Sequence, residues 1–379
     1  MMKKNTRQPN NTSVSFGHVS IHDIAARLGV SATTVWNAVN NRGRISRENR
    51  QKILDVVNQM GYRPSLVAQT LAGCKSRLIG VVVPLIDGAP FSAMVCGVET
   101  IACEQDYNII LCNTGARPDL EKKYIDLLVR RRVEGIVIVP YVQKSTQDYQ
   151  HLVDLEALGI GVVVIEQDIP EPRLTRIVPE NLNDARRMTE HLLQLGHQKI
   201  GFFQMEIPEG NIAALERLAG YKQALVKAGV KYHSSLVFDT ALLLSHESHQ
   251  ITDSLAEFFC RPDRPTAIFT NNDWVAIRLM DFLCQIGLRV PEDIAVVGFN
   301  DSAMAAFTVP PLTTVRQPAD QVGRRAAKVL FERISGLRNE NTWPIHERIS
   351  GQLIIRRSCG SSLQDKNINL RNKLLLKGT

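Results

Sequence analysis

The sequence predicts two kinds of structure in one chain: a small all-α helix-turn-helix domain, then a two-lobed α/β core of doubly wound parallel sheets. Three observations predict this. Residues 20–61 hold three short stretches with apolar residues at helical spacing, with a glycine turn between the first two. From residue 78, continuous β-branched runs alternate with helical stretches, as expected of parallel strands covered on both faces. The alternation runs for about 280 residues, a length that suits two lobes.

The first element begins at Ser20, which can cap a helix while Asp23 answers it three residues on; Ile24, Ala25 and Leu28 form its apolar stripe. Gly29 supplies the permissive backbone for a sharp turn, and Val30 can plug the angle between helices. Ser31 caps the second helix, whose inner face is Val35, Ala38 and Val39. Ser46 opens the third, with Ile53, Leu54, Val57 and Met60 inward and Gly61 as its stop. The outer face of the second helix carries Thr33, Thr34 and Asn37, short hydrogen-bonding side chains that cost helix propensity. Such a face suits base edges and phosphates better than water.

Charge points the same way. The chain has a formal net charge of +7, from 45 Lys+Arg against 38 Asp+Glu. Residues 1–77 hold 12 of those basic and 3 of those acidic residues, a net of +9, which leaves 33 and 35 elsewhere, a net of −2. A solvated basic tail is the plain alternative; a compact basic module on a near-neutral body marks a polyanion partner. After Gly61, Pro64 and Ser65 open a segment of about two turns that Gly73 ends, too short to form alone. Its apolar Leu66, Val67 and Leu71 either dock on the neighbouring domain or enter a minor groove as a paired hinge helix.

Over residues 20–80 the chain resembles the lactose-repressor (LacI/GalR) family, through "IHDIAARLGVSATTVWNAVN", "NRQKILDVVNQMGYRPS" and "AQTLAG" followed by "IGVVVP". The resemblance implies that Ala32, Thr33 and Asn37 read bases and that Leu71 is the minor-groove wedge. Ser31, Thr34, Asn40, Arg42 and Ala68 complete the expected DNA-facing set. The pattern departs at Trp36, where the family usually has a small polar residue, and at Ser65, where it usually has asparagine.

In the body, the strand-like runs are "LIGVVVP", "NIILCN", "GIVIVP", "GVVVIE", "KIGFFQ", "AIFTNN" and "IAVVGFN". Helices between them close on Leu-Gly or Ala-Gly, a repeated C-cap device. Ligands in such folds sit beyond the carboxyl ends of strands, here between the lobes. Asp273 in "FTNNDWVAI" is by itself an N-cap or a ligand group, and Arg217 in "ALERLAGYKQAL" a helix-surface arginine or its partner. The family resemblance, shared with periplasmic sugar-binding proteins, makes them a sugar-gripping pair: the carboxylate accepts from hydroxyls while the guanidinium donates in a fixed fork. It also brings in Phe91 and Ser92 of the first-lobe loop, with Gln167, Asp168, Asn300 and Asp301 at strand ends. The resemblance extends to about residue 358 through "VPPLTTVRQP". It departs at Asp184, where the family often has glycine, and after Phe91, where it often has a paired aromatic.

Dinucleotide, P-loop and nucleophile-elbow patterns are absent, so no catalytic residue and no cofactor is expected. "LGHQKIGFF" places His197 at a helix end with no acid or nucleophile beside it. The seven cysteines, at 74, 96, 103, 112, 260, 284 and 359, are scattered and odd in number; reduced thiols in a cytoplasmic protein are expected, and no metal. No apolar run approaches the roughly 20 residues of a membrane span. The expected domains are a disordered basic leader (1–18), the helix-turn-helix domain (19–63), hinge helix and linker (64–77), the effector-binding and dimerisation core (78–358), and a flexible tail (359–379).

The expectation is therefore a dimeric, ligand-responsive transcription regulator, a repressor in sense. Its partners would be pseudo-palindromic double-stranded operator DNA and a small effector such as a sugar. A solute-binding receptor of the periplasmic sugar-binding type would share the body but needs export, and residues 20–60 argue against it. A sugar-metabolising enzyme ranks third.

Overall fold

A computed structural model describes residues 19–63, 73, 75–142, 148–204, 211–239, 249–337 and 343–361. The leader, the segment carrying Ser65, Ala68 and Leu71, and the last eighteen residues lie outside the described residues. The chain divides into two compact units, Met1–Ser76 and Arg77–Thr379.

The first unit packs α1 (Ile21–Leu28), α2 (Ala32–Val39) and α3 (Arg47–Gln59). Ser20 caps α1 in a full capping box: its Oγ accepts from Asp23 N at 3.3 Å, and its own N donates to Asp23 Oδ2 at 2.8 Å. Those hydrogen bonds hold the Asp23 carboxyl below its ordinary range. Gly29 ends α1 in the left-handed region, φ 65°, so the chain turns within one residue. The core is Ile24, Ala25, Val35, Ala38, Ile53 and Val57. One inward assignment differs. Leu54 is only half-buried, and Val56 packs on the core instead, because residues 53, 56, 57 and 60 make the stripe one helix face can bury.

The second unit has two lobes. The N-lobe sheet contains β1 (Leu78–Val83), β2 (Asn108–Asn113), β3 (Gly135–Ile138), β4 (Gly161–Ile165), β5 (Thr175–Pro179) and β11 (His346–Ile349), in the order β11-β5-β4-β3-β1-β2, all parallel. The C-lobe sheet contains β6 (Ile200–Gln204), β7 (Val237–Asp239), β8 (Ala267–Thr270) and β9 (Ala295–Val297), in the order β7-β6-β8-β9, again parallel. A separate antiparallel pair joins β10 (Thr314–Arg316) to β12 (Gln352–Ile354).

Both sheets are wound on both faces. In β1, Ile79, Val81 and Val83 face α4 (Phe91–Glu104) and α11 (Ala319–Ile334), while Val82 faces α5 (Pro118–Arg130) and α6 (Gln150–Ala157). In the C-lobe, Phe202 and Phe269 pack with α7 (Asn181–Gln194) and α8 (Ile212–Lys227). Phe203 and Ile268 pack with α9 (His249–Cys260) and α10 (Asp273–Gln285). The chain crosses between lobes three times, at residues 179–181, 316–319 and 349–352.

Glycine lets two helix pairs touch. A Cβ on Gly97 of α4 would lie 2.3 Å from the Asp320 carbonyl of α11, and one on Gly220 of α8 would lie 2.2 Å from the Leu182 carbonyl of α7. The core also runs past the boundary set from sequence: Cys359, assigned to the tail, is fully buried in the C-lobe among Ile200, Phe202 and Val297.

Candidate DNA-reading face and effector site

In the first unit, α2 turns Thr33 and Asn37 away from the buried Val35 and Ala38. Ser31 and Thr34 are turned toward each other: Ser31 Oγ accepts from Thr34 N at 3.0 Å and lies 2.8 Å from Thr34 Oγ1. Asn40 uses its amide to donate to Trp36 O at 2.9 Å, closing the end of α2. Asn37 O accepts from Arg42 N at 2.8 Å, which folds the following loop back over the helix. Ala32 is half-buried at the start of α2, against the core. The structure thus brings Thr33, Asn37, Asn40 and Arg42 to one side, while Ser31 and Thr34 act first as a cap.

In the second unit, the carboxyl ends of β4, β8 and β9 converge with α8 on one buried polar cluster. Arg217 sits at its centre, only 6% exposed, so it is not a surface arginine. Its Nε donates to Asn181 Oδ1 at 3.0 Å, its Nη1 to Asn271 O at 2.8 Å, and its Nη2 to Glu166 Oε1 at 3.3 Å. The guanidinium carbon lies 4.2 Å from the centroid of Phe299. Gln317 donates to both Asn181 Oδ1 at 3.1 Å and Glu166 Oε1 at 3.4 Å.

Asp273 is not the cap of α10. That role belongs to Asn272, whose side chain accepts from Val275 N at 2.9 Å. The Asp273 carboxylate instead accepts from Thr314 Oγ1 and Ser302 N, each at 2.5 Å. It binds the loop after β9 to β10. Burial pushes its carboxyl up to about 6, against those two hydrogen bonds. Burial likewise pushes Glu166 up, against the pull of Arg217, and pushes Arg217 down.

The remaining candidates divide. Asn300, at φ 109°, donates across the lobes to Ala89 O at 3.5 Å, two residues before Phe91; Phe91 and Ser92 are not in a loop but open α4, with Phe91 packed against the N-lobe core. Gln167 is spent on the other lobe: its Oε1 accepts from Ile212 N at 2.9 Å and Ala213 N at 3.3 Å, capping α8. Asp168 pairs with Arg176 and Arg348, and Asp301 with Arg316 and Arg356. Those three hold the frame rather than face the cluster.

Three members of the cluster were not found from sequence: Glu166, Asn181 and Gln317. Glu166 stood at the end of the "GVVVIE" run, one residue before the pair that was chosen. Asn181 and Gln317 carry no local signal, since each lies on a lobe crossing. The cluster retains buried polar atoms with no hydrogen-bond partner among the described residues: Glu166 Oε2, Asn181 Nδ2 and Gln317 Oε1, with Asn300 Oδ1 unpartnered at the neighbouring strand end. Buried polar atoms are costly unless bonded, so this set has hydrogen-bonding capacity left unmet. Among the described residues no His, Cys, Asp or Glu side chains group as a metal site would require, and no helix is long and apolar enough to cross a membrane.

Comparison with known proteins identifies the family. Residues 20–65 match the family described as bacterial regulatory proteins, lacI family, and residues 189–359 match the periplasmic binding protein-like domain. The HTH-type transcriptional repressor PurR of Vibrio vulnificus is 32% identical over 321 residues, covering 83% of this chain and 92% of that protein. The HTH-type transcriptional regulator DegA of Bacillus subtilis is 32% identical over 308 residues, covering 80% and 88%. Among solved structures, the lac repressor dimer bound to operator and the anti-inducer ONPF aligns with TM-score 0.75 at 25% identity, covering 90% of this chain and 99% of that one. The CelR–cellobiose complex aligns with TM-score 0.62 at 26% identity, covering 90% and 99%. With a helix-turn-helix in the first unit, a buried polar cluster between two wound lobes in the second, and these relatives along most of its length, the chain belongs to the lacI family of bacterial regulatory proteins, which are DNA-binding transcription regulators.

Proposed function

We propose that this regulator is a homodimeric cytoplasmic repressor, without enzymatic activity, whose operator affinity is set by a small polyhydroxylated molecule held between its lobes. The observation that carries the ligand class is the Arg217–Glu166–Asn181–Gln317 cluster with its unpartnered acceptors and donors. Its formal charge is not positive, since Arg217 stands against both Glu166 and Asp273, which disfavours an anion and suits a neutral polyol. The cellobiose bound by the related CelR supports the same class. Asn300 bridges the lobes beside the cluster, and Asp273 fixes the loop that carries Ser302.

Thr33 and Asn37 read base edges, and Arg42 contacts phosphate. The lac repressor relative binds its operator as a dimer, and the exposed apolar side chains Met304, Phe307 and Val309 of the C-lobe suit a second copy. The effector unit begins near Arg77, and its core reaches at least Cys359. A solute-receptor role is disfavoured by the helix-turn-helix unit, which a transport receptor has no use for.

The test is a binding-site selection with the wild type and with Thr33→Gln and Asn37→Arg, paired with calorimetry against a panel of neutral and phosphorylated sugars. The selected motif should shift in both variants, with about 1–3 kcal/mol at the contacted base pair. A neutral sugar should bind and change operator affinity. An unchanged motif would refute the base-reading assignment, and binding confined to anionic ligands would refute the ligand class.

A further inference from the structure

Trp36 is the largest side chain of α2, and the core does not account for it. The helix buries Val35 and Ala38. At 3.6 residues per turn, Trp36 falls on the opposite side with Thr33, Asn37 and Asn40. The indole is half-buried, yet it is not among the side chains packed on the core cluster of this unit. Arg42 covers it: the guanidinium carbon lies 5.5 Å from the ring centroid.

The loop that carries Arg42 is itself held in place. Asn41 and Gly43 take left-handed φ values of 53° and 71°, which reverse the chain over α2. Arg42 N donates to Asn37 O at 2.8 Å. Arg50, from α3, donates to Ala38 O at 3.1 Å and to Arg42 O at 3.4 Å. A Cβ on Gly43 would come 3.3 Å from Asn37 Nδ2, so the loop closes directly on the reading face. Arg42 makes no ion pair among the described residues.

A guanidinium lying on an aromatic face keeps its in-plane N–H groups available while giving up much of its rotamer freedom. That fork matches phosphate oxygens. We propose that Trp36 is a positioning residue for DNA binding, holding Arg42 as a preset phosphate clamp beside the base-reading residues. It rests on the DNA-reading assignment above and goes beyond it by giving the indole a role the core does not require. Stacking fixes the arginine before contact, so less side-chain freedom is lost when the backbone is engaged.

The experiment uses the full chain and the duplex recovered by wild type from a randomised library, with affinity measured by fluorescence anisotropy across a salt series. Arg42→Ala should weaken binding and lower the salt slope by about one per protomer. Trp36→Ala should weaken binding about 2- to 5-fold per half-site, alike for all sequences, and Trp36→Phe should retain most of the affinity. In an Arg42→Ala background, Trp36→Ala should cost nothing more. Losses that multiply in the double variant would overturn the proposal, as would a changed selected sequence in Trp36→Ala, which would make the indole a base reader. Circular dichroism melting on the same variants adds a further check: if Trp36→Ala unfolds the helical unit, the indole is a core residue and the proposal fails. A wild type that recovers no sequence at all would instead refute the DNA-reading assignment.

Discussion

Asp273 shows how one buried carboxylate can hold strand ends together. Its two oxygens fasten Ser302 and Thr314, and a Cβ on Gly298 would stand 2.3 Å from its Oδ1, so backbone and carboxylate are in close contact. Arg217→Ala should remove ligand binding and leave operator binding, at about 1–3 kcal/mol or more from the groups left unpaired. Asp273→Asn should do the same with added loss of stability, because the amide cannot accept from both donors equally. Calorimetry with the ligand, then operator titration with and without it, checks both; full affinity and full response in either variant would show a purely structural role. Glu166 gives a pH signature. Its carboxyl is raised from 4.5 to about 7 by burial, so the folded chain binds this proton more tightly than the unfolded one. The contribution is fully present below pH 4.5 and is lost as pH rises through about 7. Glu166→Gln, which cannot ionise, should lose stability less steeply than wild type across that window. Urea unfolding at stepped pH reads this, and parallel profiles would mean that Glu166 stays ionised throughout.

At the scale of the element, what can be read locally is set by length and period. The capping box of α1, the left-handed Gly29 and the continuous β-branched run of β1 all follow from neighbours within a few residues. The strands β7, β10 and β12 have three residues each, and no period can be read from three positions; β9 is as short but is legible from the apolar run around it. β5 and β11 are longer but mix Arg, Glu and His with apolar residues, because they lie toward the edge of the N-lobe sheet. Helix contact adds a further prediction. Gly97 and Gly323 let α4 and α11 meet backbone to backbone, with a Cβ on Gly323 only 2.1 Å from Met94 O. Either residue changed to Ala must push the helices apart, at about 1–3 kcal/mol. Gly88→Ala, where a Cβ meets nothing within 4 Å, is the control. The urea midpoint should fall for the first two and hold for the third. Equal midpoints in all three would show that the helix pair adjusts freely.

Across the whole effector unit, the lobes are joined by more than three crossings of the chain. Gln167 of the N-lobe caps α8 of the C-lobe, and Arg348 of β11 reaches both Asp168 and Glu216, the residue beside Arg217. These contacts fasten the two sides of the ligand cluster in one arrangement. A ligand acts only through its differential affinity for lobe arrangements, so loosening this one should alter binding without altering the cluster. Gln167→Ala should weaken apparent ligand affinity about 2- to 10-fold, the worth of a lost hydrogen bond, while base preference stays the same. Calorimetry decides: unchanged affinity would confine Gln167 to a local helix cap.

The sequence by itself determined the helix-turn-helix unit and the wound α/β body, and it named Arg217 and Asp273 as candidate site residues. Each of these is written in short-range pattern: caps, apolar spacing and β-branched runs, with motif resemblance marking the two site residues. Only the tertiary structure decided which polar residues at the strand ends meet one another. Gln317 reaches Glu166 across 151 positions and Asn181 across 136, while Arg217 reaches Glu166 across 51. Gln167, Asp168 and Asp301 stand beside the same strand ends and are taken up by helix N–H groups or arginines from other segments. A strand end sets where a side chain starts; the partner that satisfies its charge once water is removed arrives from wherever the chain has folded back, and no local spacing encodes that.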